Sequence, residues 1–262
     1  FQYQRPSSGC LGYLLYADGE AAVFDPLRSF TDRYVSDAES SGAELRYAFD
    51  THIHADHVSG VRNLVDAGVE GVVPEPAIAR GVTYDSAVTA IGDGDTVNVG
   101  SATVEAIHTP GHTTGMTSYL LDGSVLLTGD GLFTESVARP DLEDGDDGAP
   151  DAARQLYQTL QDRILTLPDE TVIAGGHTSE SASPNEDGTY TARLGELAGS
   201  MSVLDLDESA FVDRVLSDMP PRPANYERII AINLGREAAD EEEAFELELG
   251  PNNCATSTEA MS

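Results

Sequence analysis

The sequence predicts an α/β (α+β) fold in which two β-sheets pack face to face and helices cover them. Short apolar segments typical of buried strands recur in both halves of the chain, and stretches with helical periodicity are interspersed among them. The chain has 262 residues, 40% of them hydrophobic, which is enough for a large core. We therefore expect a single domain over residues 1–262 with a mainly helical part near its C-terminal end, over 189–236. Periodicity alone leaves the topology of the sheets open.

In the first part of the chain, a hairpin is predicted by two apolar segments, Leu11–Tyr16 and Ala21–Asp25, which flank the turn-forming residues 17–20. The elements expected after it are a helix over 31–41, a buried strand over 45–49, a helix over 59–67 and a short strand over 71–74.

The middle of the chain is rich in short strands, which we place over 96–99, 103–108, 117–121 and 125–128. An amphipathic helix over 152–167 follows an acidic stretch, 141–151, that reads as a solvated loop. One more buried strand is expected over 171–174, then helices over 190–200, 208–216 and 224–233. Residues 245–249 alternate apolar and acidic side chains, which favours an edge strand.

Charge is the clearest compositional signal. The chain has 46 acidic and 14 basic residues, a net charge of −32, and every basic residue is Arg. This charge repels nucleic acid and anionic membranes, so we expect neither as a partner. Acidic residues scattered through periodic apolar sequence indicate a folded protein with a hydrated acidic surface, as in salt-accumulating halophiles.

The termini and cysteines bear on where the protein resides. No apolar run approaches the roughly 20 residues that span a membrane. The first residue, Phe1, is not an initiator Met, which indicates a processed or trimmed chain. Cys10 and Cys254 give no disulfide framework and read as buried, small apolar residues, so we expect a cytoplasmic protein.

A metal site is predicted by the heptapeptide 51–57, which holds three of the six histidines and follows the strand over 45–49. His52 and His54 are two residues apart, so on an extended backbone they point the same way. Asp56 and His57 lie past the turn and can face a second position. Imidazole nitrogens and a carboxylate so close together are a typical metal-binding set.

Three further candidate ligands, His112, Asp130 and His177, each come just beyond a predicted strand. A single residue of this kind would usually be a capping or turn residue. Four strand-end positions with metal-binding side chains in one chain favour a shared metal centre instead.

The pattern His52-x-His54-x-Asp56-His57, followed by His112, Asp130 and His177, resembles the metallo-β-lactamase superfamily. The resemblance implies an αββα sandwich with the metal centre at one edge of the two sheets. It also implies up to two metals: one at His52, His54 and His112, and a second at Asp56, His57 and His177, with Asp130 bridging. Catalytic roles would fall to Asp56, His57 and Asp130.

Within that superfamily, the sequence is similar to the persulfide dioxygenases and to glyoxalase II. The segments that favour the dioxygenases are 138–142, 220–223 and 250–254. This branch implies one Fe(II) held by His52, His112 and Asp130, with a small-molecule thiol persulfide as substrate. The glyoxalase II alternative implies two Zn(II) ions, or mixed zinc and iron, and a thioester substrate. Members of either branch suggest a possible homodimer.

Two departures from the family pattern concern residues beside the expected centre. Gly175-Gly176-His177-Thr178 replaces the usual Pro-Ala-His-Asp-Tyr, and Ala138 stands where a Gly precedes Arg139. We interpret Arg139 as a structural ion-pair residue and Met116 and Tyr119 as core residues.

Overall fold

The computed structural model describes residues 1–5, 9–179, 182–217, 219–249 and 254–256, and within these ranges twelve strands form two six-stranded sheets. The strands are β1 (Gln2–Gln4), β2 (Leu11–Ala17), β3 (Glu20–Phe24), β4 (Glu44–Phe49), β5 (Glu70–Pro74), β6 (Thr89–Ile91), β7 (Thr96–Val99), β8 (Ala102–His108), β9 (Thr117–Leu121), β10 (Val125–Gly129), β11 (Val172–Gly175) and β12 (Ala192–Arg193). The helices are α1 (Thr31–Ser40), α2 (Val61–Asp66), α3 (Glu75–Ala79), α4 (Gly145–Thr159), α5 (Leu194–Ser200), α6 (Glu208–Ser217), α7 (Tyr226–Asn233) and α8 (Glu241–Leu247).

The sheets have the strand orders β1-β2-β3-β4-β5-β6 and β12-β11-β10-β9-β8-β7. In the first sheet β3, β4, β5 and β6 run parallel, after the antiparallel β1-β2-β3 meander. In the second sheet only β10 and β11 pair in parallel. Parallel neighbours end at the same edge of a sheet, so the loops after β3 and β4 meet, as do those after β10 and β11.

Three apolar layers hold the elements together. Phe24, Phe49 and Tyr119 belong to the layer between the two sheets, with Phe24 and Phe49 stacked at 4.7 Å. A second layer packs α4, α5 and α6 on the outer face of the second sheet, and a third packs α1 and α2 on the outer face of the first. The order is therefore helix, sheet, sheet, helix, which confirms the predicted αββα sandwich.

The predicted hairpin forms β2 and β3, with Asp18 and Gly19 between them at φ of 42° and 85°. Two consecutive positive φ values are those of the type I′ turn, whose twist matches that of the flanking strands. The strands over 96–99 and 117–121 have the predicted bounds, and the other strands predicted between residues 11 and 174 agree within a residue.

The prediction of a solvated loop over 141–151 is wrong from Gly145 onward, because α4 begins there. Ala149 is buried one turn before Ala153 and Leu156 and extends their apolar face. Asp146 and Asp147 lie in the first turn, where carboxylates interact favourably with the helix dipole. The predicted helix then ends as a π-helical turn, Leu160–Ile164.

The predicted edge strand over 245–249 is also wrong, because Glu241–Leu247 forms α8. The Asp240 side chain accepts a hydrogen bond from the Glu243 amide and caps the helix N-terminus. Ala244 packs against Val58 and Ile232, while Phe245 stays exposed. This local cap outweighs the alternating pattern.

No prediction was made for α3 or for the short strands β1, β6 and β12, which contain only two to five residues each. Segments this short have too few positions to show a period. None of the helices in the described part of the chain has the length and apolarity that a membrane crossing needs.

Candidate metal centre

The seven predicted ligands come together at one edge of the sandwich, where strands of both sheets end. The loop after β4 contributes His52, His54, Asp56 and His57, and the loops after β8, β10 and β11 contribute His112, Asp130 and His177, respectively. All seven are buried, with at most 7% of any residue exposed. Buried charged and polar groups require partners, so their contacts indicate what the cluster can bind.

His52, His112 and Asp130 converge on one point. Asp130 Oδ2 lies 3.8 Å from His52 Nε2 and 3.7 Å from His112 Nε2, distances too long for hydrogen bonds. Among the described residues, none of these three buried atoms has a hydrogen-bond partner. Their ligand atoms all lie within 4.8 Å of one another. Two nitrogens and one oxygen facing a common point, unsatisfied, are the donor set of a metal site.

Each of the two histidines has its other ring nitrogen engaged by an acceptor. His112 Nδ1 lies 2.8 Å from the Arg139 carbonyl, which can only accept, so the Nδ1 proton is donated there. His52 Nδ1 lies 2.9 Å from Thr51 Oγ1, and that hydroxyl donates to Asp25 Oδ2 at 2.9 Å. Both contacts leave the Nε2 lone pair for a metal, the arrangement seen in metal-ligating histidines.

Burial also keeps these two rings neutral. It lowers the pKa of His52 well below its usual value, reinforced by the nearby His54, and it lowers the pKa of His112. A neutral imidazole is the form that binds metal.

His177 connects the two carboxylates of the cluster. Its Nδ1 lies 2.6 Å from Asp130 Oδ1, and its Nε2 lies 3.0 Å from Asp56 Oδ2. Burial opposes the charged ring, but Asp130 and Asp56 together raise the pKa of His177 well above its usual value. Asp130 is therefore oriented through Oδ1 while Oδ2 faces the two histidines.

Asp56 Oδ2 also receives His57 Nδ1 and Cys10 Sγ, each at 3.1 Å. Burial and His54 lower the pKa of His57, but contact with Asp56 outweighs them and raises it to about 9. Asp56 is thus the acceptor shared by three donors from three parts of the chain.

His54 faces away from this group toward two other acids. Its Nε2 lies 3.1 Å from Asp25 Oδ1 and 3.5 Å from Asp50 Oδ1, and these three residues form a buried group of their own. Asp25 is the residue that sequence analysis missed, having read it only as a strand end. Its side chain accepts from the Thr51 amide at 2.7 Å and so supports both His52 and His54.

The loop backbone is fixed by a second missed residue, Asn233 at the end of α7. Its Nδ2 donates to the carbonyls of His54 and His57 at 2.9 Å each, and its Oδ1 accepts from the Ser59 amide at 3.0 Å. No sequence motif marks this residue, because its role depends on the packing of α7 against a loop 176 positions away.

Two glycines allow the sheet edges to approach. At Gly129 (φ 47°) a Cβ would lie 2.4 Å from Thr51 Oγ1, and at Gly176 it would lie 2.5 Å from Asp130 Oδ1. A side chain at either position would displace residues of the cluster, which explains why Gly precedes both Asp130 and His177.

The two cysteines are buried as predicted, and Cys254 packs with Ala55 and Leu142, but both also lie beside polar residues of the metal cluster. Cys10 contacts Asp56, and Cys254 lies with Asp56, Asp130 and His177 in a group whose ligand atoms are within 4.8 Å of one another. Burial raises the pKa of Cys254 well above its usual value, so it is a neutral thiol.

The segments used for the family resemblance also meet at the cluster. Arg139, whose carbonyl orients His112, donates through Nε and Nη2 to Asp141 at 2.7 and 3.0 Å, the expected structural ion pair. Arg222 joins the same carboxylate at 2.8 Å, and the Arg139 amide donates to the Cys254 carbonyl. Residues 250–253 of the third segment lie outside the described residues. Met116 and Tyr119 are fully buried, as predicted.

A sequence model of the metallo-beta-lactamase superfamily matches residues 7–177, which is most of the chain and all seven candidate ligands. The chain belongs to the metallo-β-lactamase superfamily. Its membership agrees with the sandwich and with the strand-end cluster of metal-binding side chains described above.

Relatives within the superfamily include members of both branches that the sequence suggested. The chain is 31% identical over 182 residues to the mitochondrial persulfide dioxygenase ETHE1 of Mus musculus, covering 67% of this chain and 66% of that protein. It is 29% identical over 175 residues to the hydroxyacylglutathione hydrolase of Erythrobacter litoralis, covering 66% and 64%. The matches therefore span just under two thirds of the length of these relatives.

A solved structure of ETHE1 from Myxococcus xanthus superimposes with a TM-score of 0.77 at 26% identity, covering 90% of this superfamily member and 99% of that chain. Enzymes of both branches are metal-dependent, and the buried donor set fits a metal here. The identity and the number of the metal ions depend on which of the two chemistries the protein performs.

Proposed function

We propose that this protein is a non-haem iron enzyme that oxidises a low-molecular-weight thiol persulfide with O2 to sulfite and thiol, with water supplying the third oxygen of sulfite. The observation that carries the proposal is the trio His52 Nε2, His112 Nε2 and Asp130 Oδ2, which face one point and lack hydrogen-bond partners among the described residues. Two histidines and one carboxylate are the donor set of mononuclear iron oxygenases. Relatives named as persulfide dioxygenases support the same reading.

The other four candidate ligands have acceptors or donors of their own. His177 and His57 contact Asp56, and His54 contacts Asp25 and Asp50. We assign them to orienting the trio and holding protons rather than to binding the iron. Such supporting contacts typically change metal affinity or activity by 10- to 100-fold.

Fe(II) bound by the trio would supply open coordination positions at which a sulfur nucleophile and O2 lie side by side. Around it, His177 holds Asp130 through Oδ1, and His177 and His57, whose pKa values are raised by the carboxylates they contact, hold protons beside the site. The burial of all seven residues limits the contact of the site with bulk water.

A dinuclear thioester hydrolase is the second candidate function. Its support is that His54 Nδ1 and His57 Nε2 are also buried without a hydrogen-bond partner among the described residues. Either atom could turn to a metal, so that the seven residues together would hold two Zn(II) ions or a mixed zinc and iron pair. Such a pair would supply a hydroxide nucleophile near neutral pH, the chemistry that thioester hydrolysis needs.

Metal content and activity, measured on the same samples, test the proposal. We expect about one iron per chain in protein produced in its own cell type, with O2 consumption on a thiol persulfide and no cleavage of a lactoyl thioester. Two tightly bound zinc ions, with thioester cleavage and no O2 consumption, would contradict the dioxygenase and favour the hydrolase.

A further inference from the structure

A cavity with a volume of about 470 Å³ borders the end of the metal-binding loop at Val58 and Ser59. Ser59 and Asn233, which tie that loop to α7, form part of its wall, and none of the seven candidate ligands lines it. Three arginines line it as well: Arg28, Arg62 and Arg236. We call it the arginine cavity. It holds three of the fourteen basic residues of a chain whose net charge is −32.

These three arginines differ from most others in the protein. At least ten of the fourteen arginines form an ion pair with a carboxylate among the described residues. Within the described ranges, Arg28, Arg62 and Arg236 have no carboxylate oxygen within 4.0 Å of a guanidinium nitrogen, although the chain has 46 acidic residues to offer. Unpaired guanidinium groups gathered in one cavity of so acidic a protein indicate a site for an anion.

Backbone carbonyls hold the three side chains and leave N–H groups available. Arg28 donates through Nη1 and Nη2 to the Ala239 carbonyl at 3.2 Å, and its buried Nε has no partner among the described residues. Arg62 donates to the Asn233 carbonyl at 3.4 Å and lies 4.5 Å from the Tyr84 ring centroid. Each guanidinium has five N–H groups, so most of them remain for a ligand.

Three acids also line the cavity, but they leave the arginines unpaired. Glu237 lies 3.4 Å from Arg228 Nε, outside the cavity, and Asp66 and Asp85 are exposed to solvent. Exposed carboxylates act on an anion through water and are screened by salt, whereas direct guanidinium contacts are screened less.

We propose that the arginine cavity binds a small phosphate- or sulfate-type oxyanion, free or as the head group of a small organic molecule. Guanidinium groups match the paired oxygens of such anions, and a spherical ion such as chloride cannot use that fork geometry. The volume lies in the range of small-molecule sites and exceeds what one oxyanion fills. This ligand is distinct from the substrate of the metal centre, and the site stands whichever chemistry that centre performs.

Calorimetric titration of the full, metal-loaded protein tests this site without any assay of activity. The probes are inorganic phosphate, sulfate and glycerol 3-phosphate, and chloride at the same concentration is the comparison anion. The ionic strength is high and is kept constant. The variants are Arg62→Gln and Arg236→Gln, and the control is Arg46→Gln, which removes the same charge from an exposed arginine of β4 outside the cavity. Two variants are used because Arg62 also contacts α7, whereas Arg236 is exposed and its replacement spares the fold.

We expect each cavity variant to weaken oxyanion binding by about tenfold or more and Arg46→Gln to leave it unchanged, as loss of a charge-assisted hydrogen bond implies. Tighter binding of glycerol 3-phosphate than of phosphate would identify an organic ligand, and equal binding a free anion; both support the site. Binding that is the same in all four proteins would overturn the proposal, since the anion would then occupy the metal centre or the general surface. If chloride displaced bound phosphate as effectively as sulfate does, the proposal would be overturned too.

Discussion

Replacing Asp25 by Asn tests whether hydrogen bonds outside the metal centre determine which ring nitrogen of His52 offers a lone pair to a metal. The Asp25 carboxylate accepts from the Thr51 amide, the Thr51 hydroxyl and His54 Nε2, at 2.7, 2.9 and 3.1 Å. An Asn side chain has one acceptor oxygen and one donor NH2. If the oxygen keeps the amide and His54, the NH2 faces the Thr51 hydroxyl.

The hydroxyl must then donate in the other direction, toward His52 Nδ1. This moves the ring proton of His52 to Nε2, the atom that faces Asp130 and His112. The backbone tolerates the change, because Asp25 has a φ of 46° and Asn is among the residues that adopt this region most readily. The variant should therefore fold but present the wrong tautomer to a metal.

We expect metal affinity to fall by 10- to 100-fold, the size of effect typical for such supporting contacts, which is about 1.4 to 2.8 kcal/mol. Competition with a chelator of known affinity under anaerobic conditions measures it, and circular dichroism checks the fold. Thr51→Ser, which keeps the hydroxyl, and Asp32→Asn, which removes one exposed carboxylate, should bind metal like the unmodified protein. A folded Asp25→Asn protein that binds metal as tightly as the unmodified one would refute the tautomer reasoning.

Three further predictions concern other contacts. Asp56→Ala should leave the iron bound and lower O2 consumption by roughly 10- to 100-fold, whereas loss of a metal ion together with nearly all activity would indicate the dinuclear hydrolase. Burial raises the pKa of Asp141, but Arg139 and Arg222 lower it more, so the folded-state pKa lies below the usual 3.8. The Asp141 carboxylate therefore stabilises the folded protein fully above pH 3.8, and this stabilisation disappears as the pH falls through the lowered pKa. Asp141→Asn should therefore lower the free energy of unfolding by roughly 2 kcal/mol at pH 7, with the difference from the unmodified protein shrinking in acid, as urea titrations at several pH values would reveal. With a net charge of −32, the melting temperature should fall as KCl is lowered from molar to millimolar, and an unchanged value would show that the acidic excess has no such role.

The parts of the fold that the sequence predicted share strong local signals. Buried strands ending in Gly, His or Asp predicted both the sandwich edge and the seven clustered residues, because a strand end fixes where the next side chain lies. The segment over 245–249 was predicted wrongly: the alternation of Phe245, Leu247 and Leu249 has the period of a strand, but the Asp240 cap and the packing of Ala244 favour a helix. Periodicity shows which side chains would share a face in a given secondary structure. It does not show which secondary structure tertiary packing will stabilise.

The supporting residues of the centre were harder to predict. Asp25 follows a strand as Asp130 does, and this position was the one sequence feature that could have marked it as part of the metal centre. Asn233 has none, since it reaches the metal loop only after α7 has docked. Ligand types are read from chemistry and spacing, whereas orienting contacts depend on three-dimensional packing that one sequence does not reveal.

The convergence of loops from both sheets has a consequence for the unfolded chain. His52, His112 and Asp130 are separated by 60 and 18 positions in the sequence, so an ion held by all three would close two loops at once. Because the unfolded chain would have to close both loops before it could gather these side chains, the ion would bind only the native state and shift the folding equilibrium toward it. Metal supply would then govern how long the protein survives proteases as well as how fast it turns over, and a cell short of the metal would lose the polypeptide along with its activity.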